Sequence, residues 1–550
     1  MHVITTVLIF LLAVVVSAYI ARLLPIKPPL PLVQIAIGAV LSWWGLGVPL
    51  DPHVFLLLFI PPLLFLDGWR IPKGAFFRNW QPILALAIGL VVLTVLGLGY
   101  VVHWLIPAIP LAVAFALAAI LSPTDPVAVA AMTANTPLPS RLMHILEGES
   151  LLNDATGLVC FTFAVGAAMT GVFSIADASA SFVKVAGGGV LVGLAVVWVI
   201  GLANRLLVSY TGEQPSIQIL ISLLVPFAAY LGAEHVHASG ILAAAVAGIA
   251  MHYNELSGPA LASTRMQRTA VWDTVQTTLN GIIFVLLGEQ LPGMLRSLHE
   301  VALAIGASSD LELLFYMVAI TLALGALRFA WVWVALRVTV FHARLRGERR
   351  DMPHSRLIAV VAAAGVRGAI TLAGILTLPL LLPDGTPFPA RDVAISLAMG
   401  VILCSLLIAS VAMPLLASGL QTDMPHATQH RHGEVSARLA AAEAAIRRIQ
   451  TYLPQRQYSP EEAALRAEAA AYLIDVYKRR LEYGDPSGER MEDIERRMEV
   501  ERELRLEALR AERDELYRLR RSNAIDDDVH RALVREIDLT EASLTRPAAH

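Results

Sequence analysis

Apolar runs long enough to cross a lipid bilayer recur along the first three quarters of the chain. Each run holds roughly 18 to 25 mostly apolar residues, and a transmembrane helix needs about 20. The pattern therefore predicts an all-α polytopic membrane protein with about thirteen transmembrane helices. The predicted spans are 3–24, 29–46, 52–68, 81–106, 109–133, 146–171, 183–209, 216–232, 236–252, 272–295, 312–340, 356–382 and 391–418. The first run lacks a basic leading segment and a small-residue cleavage site, so we expect it to be a retained helix.

The hydropathy pattern changes abruptly near Gln421. Mean hydropathy is +0.63 over the whole chain, above the range of soluble proteins. Residues 1–420 contain about 20 Lys and Arg and about 19 Asp and Glu, against roughly 22 and 26 in residues 421–550. We therefore predict a transmembrane domain at 1–420 and a charged helical tail at 421–550.

The tail is rich in Ala, Glu, Arg and Leu, which favours helices. Segments 434–481 and 488–521 are predicted helical, with Pro486 and Gly488 between them, and 524–544 adds one short helix. The apolar positions do not hold a heptad register. A solvated helical bundle and a dimerising or regulatory module therefore both remain open.

Basic residues favour one orientation in the membrane. With the N-terminus outside, the loops that face the cytoplasm contain Arg22, Lys27, Arg70, Lys73, Arg78, Arg141, Arg205, Arg265, Arg268, Arg337, Arg344, Arg346, Arg349 and Arg350. The opposite loops contain only Lys184, Arg296 and Arg391. Because cytoplasmic loops carry an excess of Lys and Arg, we predict a protein of the cytoplasmic (inner) membrane whose charged tail is cytoplasmic.

Charge and cysteine content exclude other classes. The net charge of −3 gives no basic surface for a nucleic acid partner. Cys160 and Cys404 lie in apolar runs, where we expect small core side chains and no disulfide. No Cys/His set has the spacing of a transition-metal site, and no cofactor is expected.

One acidic motif, Ser122-Pro-Thr-Asp-Pro126, interrupts an apolar run. Pro126 has no backbone N–H and disfavours the α conformation at Asp125, so nearby carbonyls should lose their helical partners. In transporters, such freed carbonyls bind cations near the bilayer midplane. The alternative is a simple proline kink in which Asp125 caps the following half-helix.

A second acidic motif is Glu147-Gly-Glu-Ser-Leu-Leu-Asn-Asp154. It should place Glu149, Ser150, Asn153 and Asp154 at the mouth of an otherwise apolar run. A carboxylate in the membrane is costly, so it suggests a functional site. Ser150 and Asp154 share one helical face, with Glu149 and Asn153 beside them, and such oxygen ligands suit a small hard cation. Two interrupted acidic helices side by side therefore predict an ion-binding site. An exposed acidic helix start explains Glu147 better than it explains Asp154.

Three further charges lie in or beside apolar runs. Asp67 is either close to a membrane border or a third acidic wall of the site. Arg328 and Arg367 need partners, because an unpaired buried guanidinium is not tolerated, and Glu149 is the preferred partner of Arg328. Arg367, between Gly365 and Gly368, has either a functional role or a packing or snorkelling role.

These motifs together resemble the Na+/H+ exchangers of the CPA1 branch of the cation:proton antiporters. The similar segments are Pro61-Pro-Leu-Leu-Phe-Leu-Asp67, Ser122-Pro-Thr-Asp-Pro126, Glu147-Gly-Glu-Ser-Leu-Leu-Asn-Asp154, Ala326-Leu-Arg328 and Gly365-Val-Arg-Gly-Ala369. They cover the membrane domain from the third span to the twelfth, in family order. The tail resembles that of bacterial members only loosely.

The resemblance implies roles for these residues. Asp154 would bind the cation and carry the proton, with Asn153 as its partner, while Ser150, Asp125 and the backbone of Thr124 would complete a Na+ site. Asp67 is similar in place to an acidic residue near the ion route. Glu149 and Arg328 would form a structural ion pair, with Arg367 as possible support. The family also implies inverted repeats, crossed broken helices, a homodimer and electroneutral exchange, because Asn153 stands where electrogenic relatives have a second Asp.

The predicted function is therefore exchange of Na+ (or Li+) for H+ by alternating access, with both ions competing for Asp154. A K+/H+ antiporter with the same mechanism is the alternative. An enzyme of another class, an intramembrane aspartyl protease built on Asp125 and Asp154, lacks the Gly-x-Gly-Asp signature of such proteases. A cation channel is disfavoured because the carboxylate must be neutralised before the site can move.

Overall fold

In this computed structural model the chain forms two compact units, Met1–Thr422 and Asp423–His550. The residues described are 2–25, 28–45, 52–133, 136, 138–171, 175–256, 262–306, 309–345, 355–418, 440–451, 459–482, 491–522, 524 and 527–544. Over these ranges the chain is helical and contains no strand; extended backbone pairs there in a single bridge, between Leu381 and Pro387. The prediction of an all-α fold is confirmed.

Seventeen α-helices are described in the first unit. They are α1 (His2–Leu23), α2 (Leu30–Trp43), α3 (Pro52–Arg70), α4 (Lys73–Arg78), α5 (Trp80–Leu84), α6 (Val91–Leu105), α7 (Leu111–Ile120), α8 (Pro126–Met132), α9 (Ser140–Thr170), α10 (Ile175–Thr211), α11 (Pro215–His235), α12 (Gly240–Leu256), α13 (Ala262–Ala304), α14 (Asp310–Leu345), α15 (Ser355–Ala363), α16 (Ala369–Leu376) and α17 (Arg391–Ala417). A π-helical segment, Ala85–Leu90, joins α5 to α6.

Length and apolar composition identify the membrane-crossing helices. Within the described residues, 7 helical stretches are long and apolar enough to span a bilayer: Trp80–Leu105, Arg141–Thr170, Val183–Thr211, Pro215–His235, Ser263–Leu303, Asp310–Phe341 and Arg391–Ala417. Shorter apolar helices lie in α1, α2, α7 and α12. The count of about thirteen spans stays a prediction. Four of the basic residues used to orient the chain, Lys27, Arg346, Arg349 and Arg350, lie outside the described residues.

Two of the predicted spans are broken in the middle. The span predicted at 109–133 is the pair α7 and α8, because Asp125 is extended (φ −108°, ψ 102°) and Pro126 begins the second half. The span predicted at 356–382 is the pair α15 and α16, separated by residues 364–368, with an extended Gly368. The break predicted around Pro123 and Pro126 is thus present, and a second break lies at the glycines that flank Arg367.

The prediction of an interrupted helix at the second acidic motif was wrong. Helix α9 is continuous from Ser140 to Thr170, so Asp154 lies about 21 Å along the helix rather than at its mouth. No proline follows Pro139 in this helix. Gly148 serves close packing instead of a break, because an added Cβ would lie 2.7 Å from Ile83 Cδ1. The second broken helix of the site is therefore α15–α16.

Two glycine-mediated crossings have the same geometry. Helix α2 crosses α13 and α3 crosses α12, and a glycine on each helix meets a backbone carbonyl of the other. An added Cβ would lie 1.9 Å from Val285 O at Gly38, 1.9 Å from Ile35 O at Gly288, 2.2 Å from Ala245 O at Gly68 and 2.0 Å from Phe65 O at Gly248. In every case the carbonyl belongs to the residue three positions before the partner glycine. Such a repeated crossing is what inverted repeats produce.

The second unit is also helical where it is described. Its helices are α18 (440–451), α19 (Pro460–Glu482), α20 (Met491–Arg521) and α21 (Asp527–Leu544). Helices α20 and α21 contact each other through Arg513, which is 2.8 Å from Asp538, and through the rings of Tyr517 and His530, 4.9 Å apart. The predicted boundary at Gln421 and the break at Pro486 and Gly488 fall outside the described residues.

Candidate cation site

The breaks of the two discontinuous helices lie in direct contact. The backbone N–H of Asp125 donates to Val366 O at 2.9 Å, which joins the two extended segments as a strand pair would. Gly368 permits this approach, because a Cβ there would lie 2.4 Å from Asp125 Oδ2. The sequence predicts the break in α7–α8, and the structure shows that a second break, in α15–α16, crosses it.

Asp125 caps the helix that follows it. Its Oδ1 accepts hydrogen bonds from Val127 N at 2.9 Å and Ala128 N at 3.2 Å. The capped proline kink that the sequence left open is therefore present. Asp125 also lies beside the start of α16, so its carboxylate is near the positive ends of two half-helices, and both stabilise its negative charge.

Arg367 occupies carbonyls that the break in α7–α8 sets free. Its Nη1 donates to Ser122 O at 3.3 Å and to Pro123 O at 3.2 Å, and its backbone N–H donates to Ser405 Oγ at 3.2 Å. The side chain is only 4% exposed, so a snorkelling role is excluded. A protein cation therefore binds two of the carbonyls at which we expected a transported cation.

The polar residues of α9 face the break. Asn153 Nδ2 donates to Thr124 Oγ1 at 3.0 Å, while Asn153 Oδ1 is buried without a hydrogen-bond partner among the described residues. Ser150 is 5% exposed and Asp154 4%. Gly157, one turn further along, brings α9 close to the break, since a Cβ there would lie 2.8 Å from Pro123 Cγ. Thr124 was expected to contribute its backbone, and here its side chain makes the contact.

Three carboxylates share this region. The charges of Asp67 and Asp125 both act on Asp154, so the three groups lie close enough to repel one another when ionised. Asp67 is half-buried, and its charge also interacts with Glu147 and Arg70. The structure therefore places Asp67 beside the acidic cluster rather than alone at a border.

Glu147 is a residue that sequence reasoning passed over. It is half-buried, and with Ser150 and Asp154 it lies on one face of α9 at spacings of three and four residues. The same spacing rule that grouped Ser150 with Asp154 would have found it. It was set aside because the helix was expected to start near residue 146 instead of Ser140.

Glu149 and Arg328 form a buried, bidentate ion pair. Arg328 Nη2 donates to Glu149 Oε2 at 2.7 Å, and Nη1 donates to Oε1. The two residues are 0% and 2% exposed, and Arg328 Nε also donates to Val361 O at 2.7 Å. Glu149 is the partner that the sequence favoured for Arg328. Val361 O, which binds Arg328, and Ser405 Oγ, which binds the backbone of Arg367, carry no sequence signal. The first is a backbone atom, and the second belongs to one of three serines in the apolar helix α17.

Broken helices that cross beside buried carboxylates define the class of secondary active transporters. The chain belongs to the family described as sodium/hydrogen exchanger, transmembrane, whose sequence model matches residues 8–419. The predicted family is confirmed, and the chain is a transporter rather than an enzyme.

Individual relatives agree with this assignment. The chain is 41% identical over 551 residues to an uncharacterised Na+/H+ exchanger of Escherichia coli (strain K12), YjcE, covering 99% of each chain. It is 41% identical over 421 residues to a Bacillus subtilis (strain 168) protein named a sodium, potassium, lithium and rubidium/H+ antiporter, covering 76% of this chain and 62% of that protein. The solved structure of the sodium proton antiporter MjNhaP1 from Methanocaldococcus jannaschii matches with a TM-score of 0.57 at 17% identity, over 76% of this chain and 99% of that one. This last likeness shows the fold.

Proposed function

We propose that the protein exchanges Na+ or Li+ for H+ across the cytoplasmic membrane, one for one, and that both ions compete for Asp154. The observation that carries this proposal is the burial of Asp154, at 4% exposure, where α9 meets the crossed breaks. Asp125, Ser150 and Thr124 supply the additional oxygen atoms that a small hard cation prefers. Asp67 extends the acidic wall of the same site.

Burial of Asp154 gives the exchange its coupling. An ionised carboxylate without a bound ion costs several kcal/mol in a low-dielectric interior. The site therefore switches between inward-facing and outward-facing states only with a proton or a cation bound. Inward-facing and outward-facing states then alternate around the same residues. Movement without an ion is suppressed, and a proton gradient can drive the cation the other way.

Asn153 supports a one-for-one stoichiometry. It adds no charge to the site, and its amide group instead holds Thr124. Asp154 loaded with either H+ or a monovalent cation is neutral, so each half of the cycle moves the same charge. The Glu149–Arg328 pair is neutral as a unit and positions α9 against α14 without carrying substrate.

A K+/H+ antiporter is the second candidate. The same oxygen ligands can bind Na+, Li+ and K+, and the B. subtilis relative is named for several of these cations. Measuring exchange against each cation over a range of pH, with the full chain and with a chain ending at residue 420, decides between the candidates and tests the role of the tail.

We propose further that the N-terminus is outside, the tail cytoplasmic and the protein a homodimer. The orientation rests on the distribution of basic residues, and the dimer on resemblance to the family. Labelling of single cysteines at Arg141 and Lys184 from each side of the membrane tests the first. The mass of the detergent-solubilised complex tests the second.

The decisive experiment replaces Asp154 by Asn in proteoliposomes that carry a pH gradient. We expect Asp154→Asn to abolish Na+-dependent collapse of the gradient while leaving folding intact, because the amide cannot exchange a proton for a cation. Asp392→Asn, at a side chain that is 84% exposed, is the matched control and should exchange normally. Unchanged exchange by Asp154→Asn would contradict the proposal, and a Na+ current independent of H+ would indicate a channel.

A further inference from the structure

Thr371 is a buried threonine whose hydroxyl has no hydrogen-bond partner among the described residues. It is 1% exposed and lies in α16, just after the break. Threonine hydroxyls inside helices commonly donate to the carbonyl four residues earlier. Thr133, Thr156 and Thr321 do so at 2.9, 2.9 and 2.7 Å. Thr371 departs from this pattern.

The break between α15 and α16 explains why the hydroxyl of Thr371 has no hydrogen-bond partner within its helix. The carbonyl four residues earlier belongs to Arg367, which precedes Gly368, the residue that caps α16. That carbonyl lies in the non-helical segment 364–368, and the hydroxyl of Thr371 does not bond to it. A buried hydroxyl without a protein partner is unfavourable, so its oxygen atom is available to an ion or a water molecule.

The direction of the Thr371 side chain follows from its neighbours on α16. Gly368 faces Asp125, and Gly374 faces Ile120 and Leu158. At about 100° per residue, Thr371 lies about 60° from each of these glycines, between the two contact directions. The hydroxyl-bearing face of α16 is therefore turned toward the break of α7–α8 and toward α9.

The level of Thr371 relative to Asp154 follows from residue pairs that join α7 to α9 and α7 to α16. The pairs are Thr124 with Asn153, Pro123 with Gly157, Asp125 with Gly368 and Ile120 with Gly374. Both α9 and α16 thus run antiparallel to α7 and parallel to each other. Leu158 of α9 contacts Gly374 of α16. Asp154 precedes Leu158 by one helical turn, and Thr371 precedes Gly374 by about one turn. Asp154 and Thr371 therefore lie at the same level.

We infer that Thr371 is a further residue of the cation site, whose hydroxyl oxygen binds the cation together with Asp154 and Asp125 and favours Na+ and Li+ over K+. This inference rests on the proposed function and names a ligand that none of the sequence motifs contains. A hydroxyl oxygen is a ligand that hard cations accept. An additional oxygen on a rigid half-helix makes the cavity smaller and favours the smaller ions.

The test compares Thr371→Val, which removes the hydroxyl at nearly constant shape, with Thr371→Ser, which retains it. The control is Thr321→Val, at a threonine of α14 that is 8% exposed and whose hydroxyl is bonded to Met317 O. Exchange in proteoliposomes gives KM and maximal rate for Na+, Li+ and K+ at fixed pH. Thermal unfolding in detergent gives Tm without cation and its rise with Na+.

We expect Thr371→Val to raise the KM for Na+ and Li+ about tenfold, to change that for K+ less, and to lose most of the Na+-dependent rise in Tm. Its Tm without cation should equal or exceed that of the natural protein, because no hydrogen bond is lost. Thr371→Ser should keep the natural KM. Thr321→Val should show the reverse pattern, an unchanged KM and a lower Tm.

Two results would overturn the inference. One is a Thr371→Val variant with natural KM values and a natural Tm response to Na+. The other is a Tm without cation that falls as far as that of Thr321→Val, which would mean that the hydroxyl already has a protein partner. Failure of the proposed function is distinguishable, since the natural protein would then show no cation-dependent exchange, or Asp154→Asn would retain it.

Discussion

Charged residues obey different rules in the membrane unit and in the tail. In the membrane unit, the side chains of Arg328 and Glu149 are 2% and 1% exposed, and each of the three guanidinium nitrogens of Arg328 donates a hydrogen bond to Glu149 or to Val361 O. In the tail, Arg513 has two carboxylate partners, Asp538 and Glu541, and these three side chains are 25%, 59% and 33% exposed. Both arginines bind carboxylates directly, but only Arg328 and its partner are buried.

The difference shows that burial, rather than the number of ion pairs, decides how much an ion pair matters for stability. Water solvates exposed charges almost as well as an ion-pair partner does. An exposed pair therefore contributes little to the free energy of unfolding, and salt screens it. A buried pair has already lost that hydration, so removing one partner leaves a lone charge in low dielectric. Charged residues of the tail can therefore be substituted with little loss of stability. In the membrane unit, substituting Glu149 or Arg328 alone causes a large loss.

The largest expected effect is the loss of one partner of the buried pair. Arg328→Ala should destabilise the protein by about 3–5 kcal/mol, seen as a lower melting temperature in detergent, because Glu149 is left unpaired. Arg337→Ala is the matched control on the same helix, since Arg337 is exposed and its guanidinium lies 4.8 Å from the ring centre of Trp333. That change should cost no more than about 1 kcal/mol. Equal losses would show that burial does not separate the two arginines.

A double variant sharpens the comparison. Replacing Glu149 by Leu and Arg328 by Met together removes both charges and keeps apolar volume, so the loss should be smaller than the sum of the two single losses by about 2–3 kcal/mol. Unfolding of both single variants and the double variant completes the cycle. Additive losses would mean that the two residues act independently, contrary to their contact.

The smallest expected effect is in the tail. The pKa of Arg513 is raised above its ordinary value because Glu541 and Asp538 accept its hydrogen bonds, so the guanidinium remains charged throughout the physiological range. Arg513→Ala should lower the hydrogen-exchange protection of α20 and α21 slightly, and the difference from the natural protein should shrink in 1 M salt. A large loss that salt does not alter would place this pair among the buried ones and remove the contrast.

The features that could be predicted from the sequence are those that depend on residues a few positions apart. Pro126 and Asp125 predicted the break in α7–α8, and helical spacing placed Ser150 and Asp154 on one face. The sequence prediction failed for α9, which was expected to begin near residue 146. The turns from Ser140 to Ile145 lie outside the span predicted at 146–171, and Arg141 and His144 in them do not interrupt the helix. In the structure α9 includes those turns, and it packs against α4 and α5.

The order of apolar runs, the proline break and the spacing of carboxylates follow from the amino-acid sequence by itself, since each depends on residues a few positions apart. Only the tertiary structure decided that Arg367 binds the carbonyls of Ser122 and Pro123, and that Thr371 lies level with Asp154. The physical reason is that these arrangements bring together segments more than two hundred residues apart. Their geometry is set by which helices cross and at what height, and no local preference encodes that arrangement.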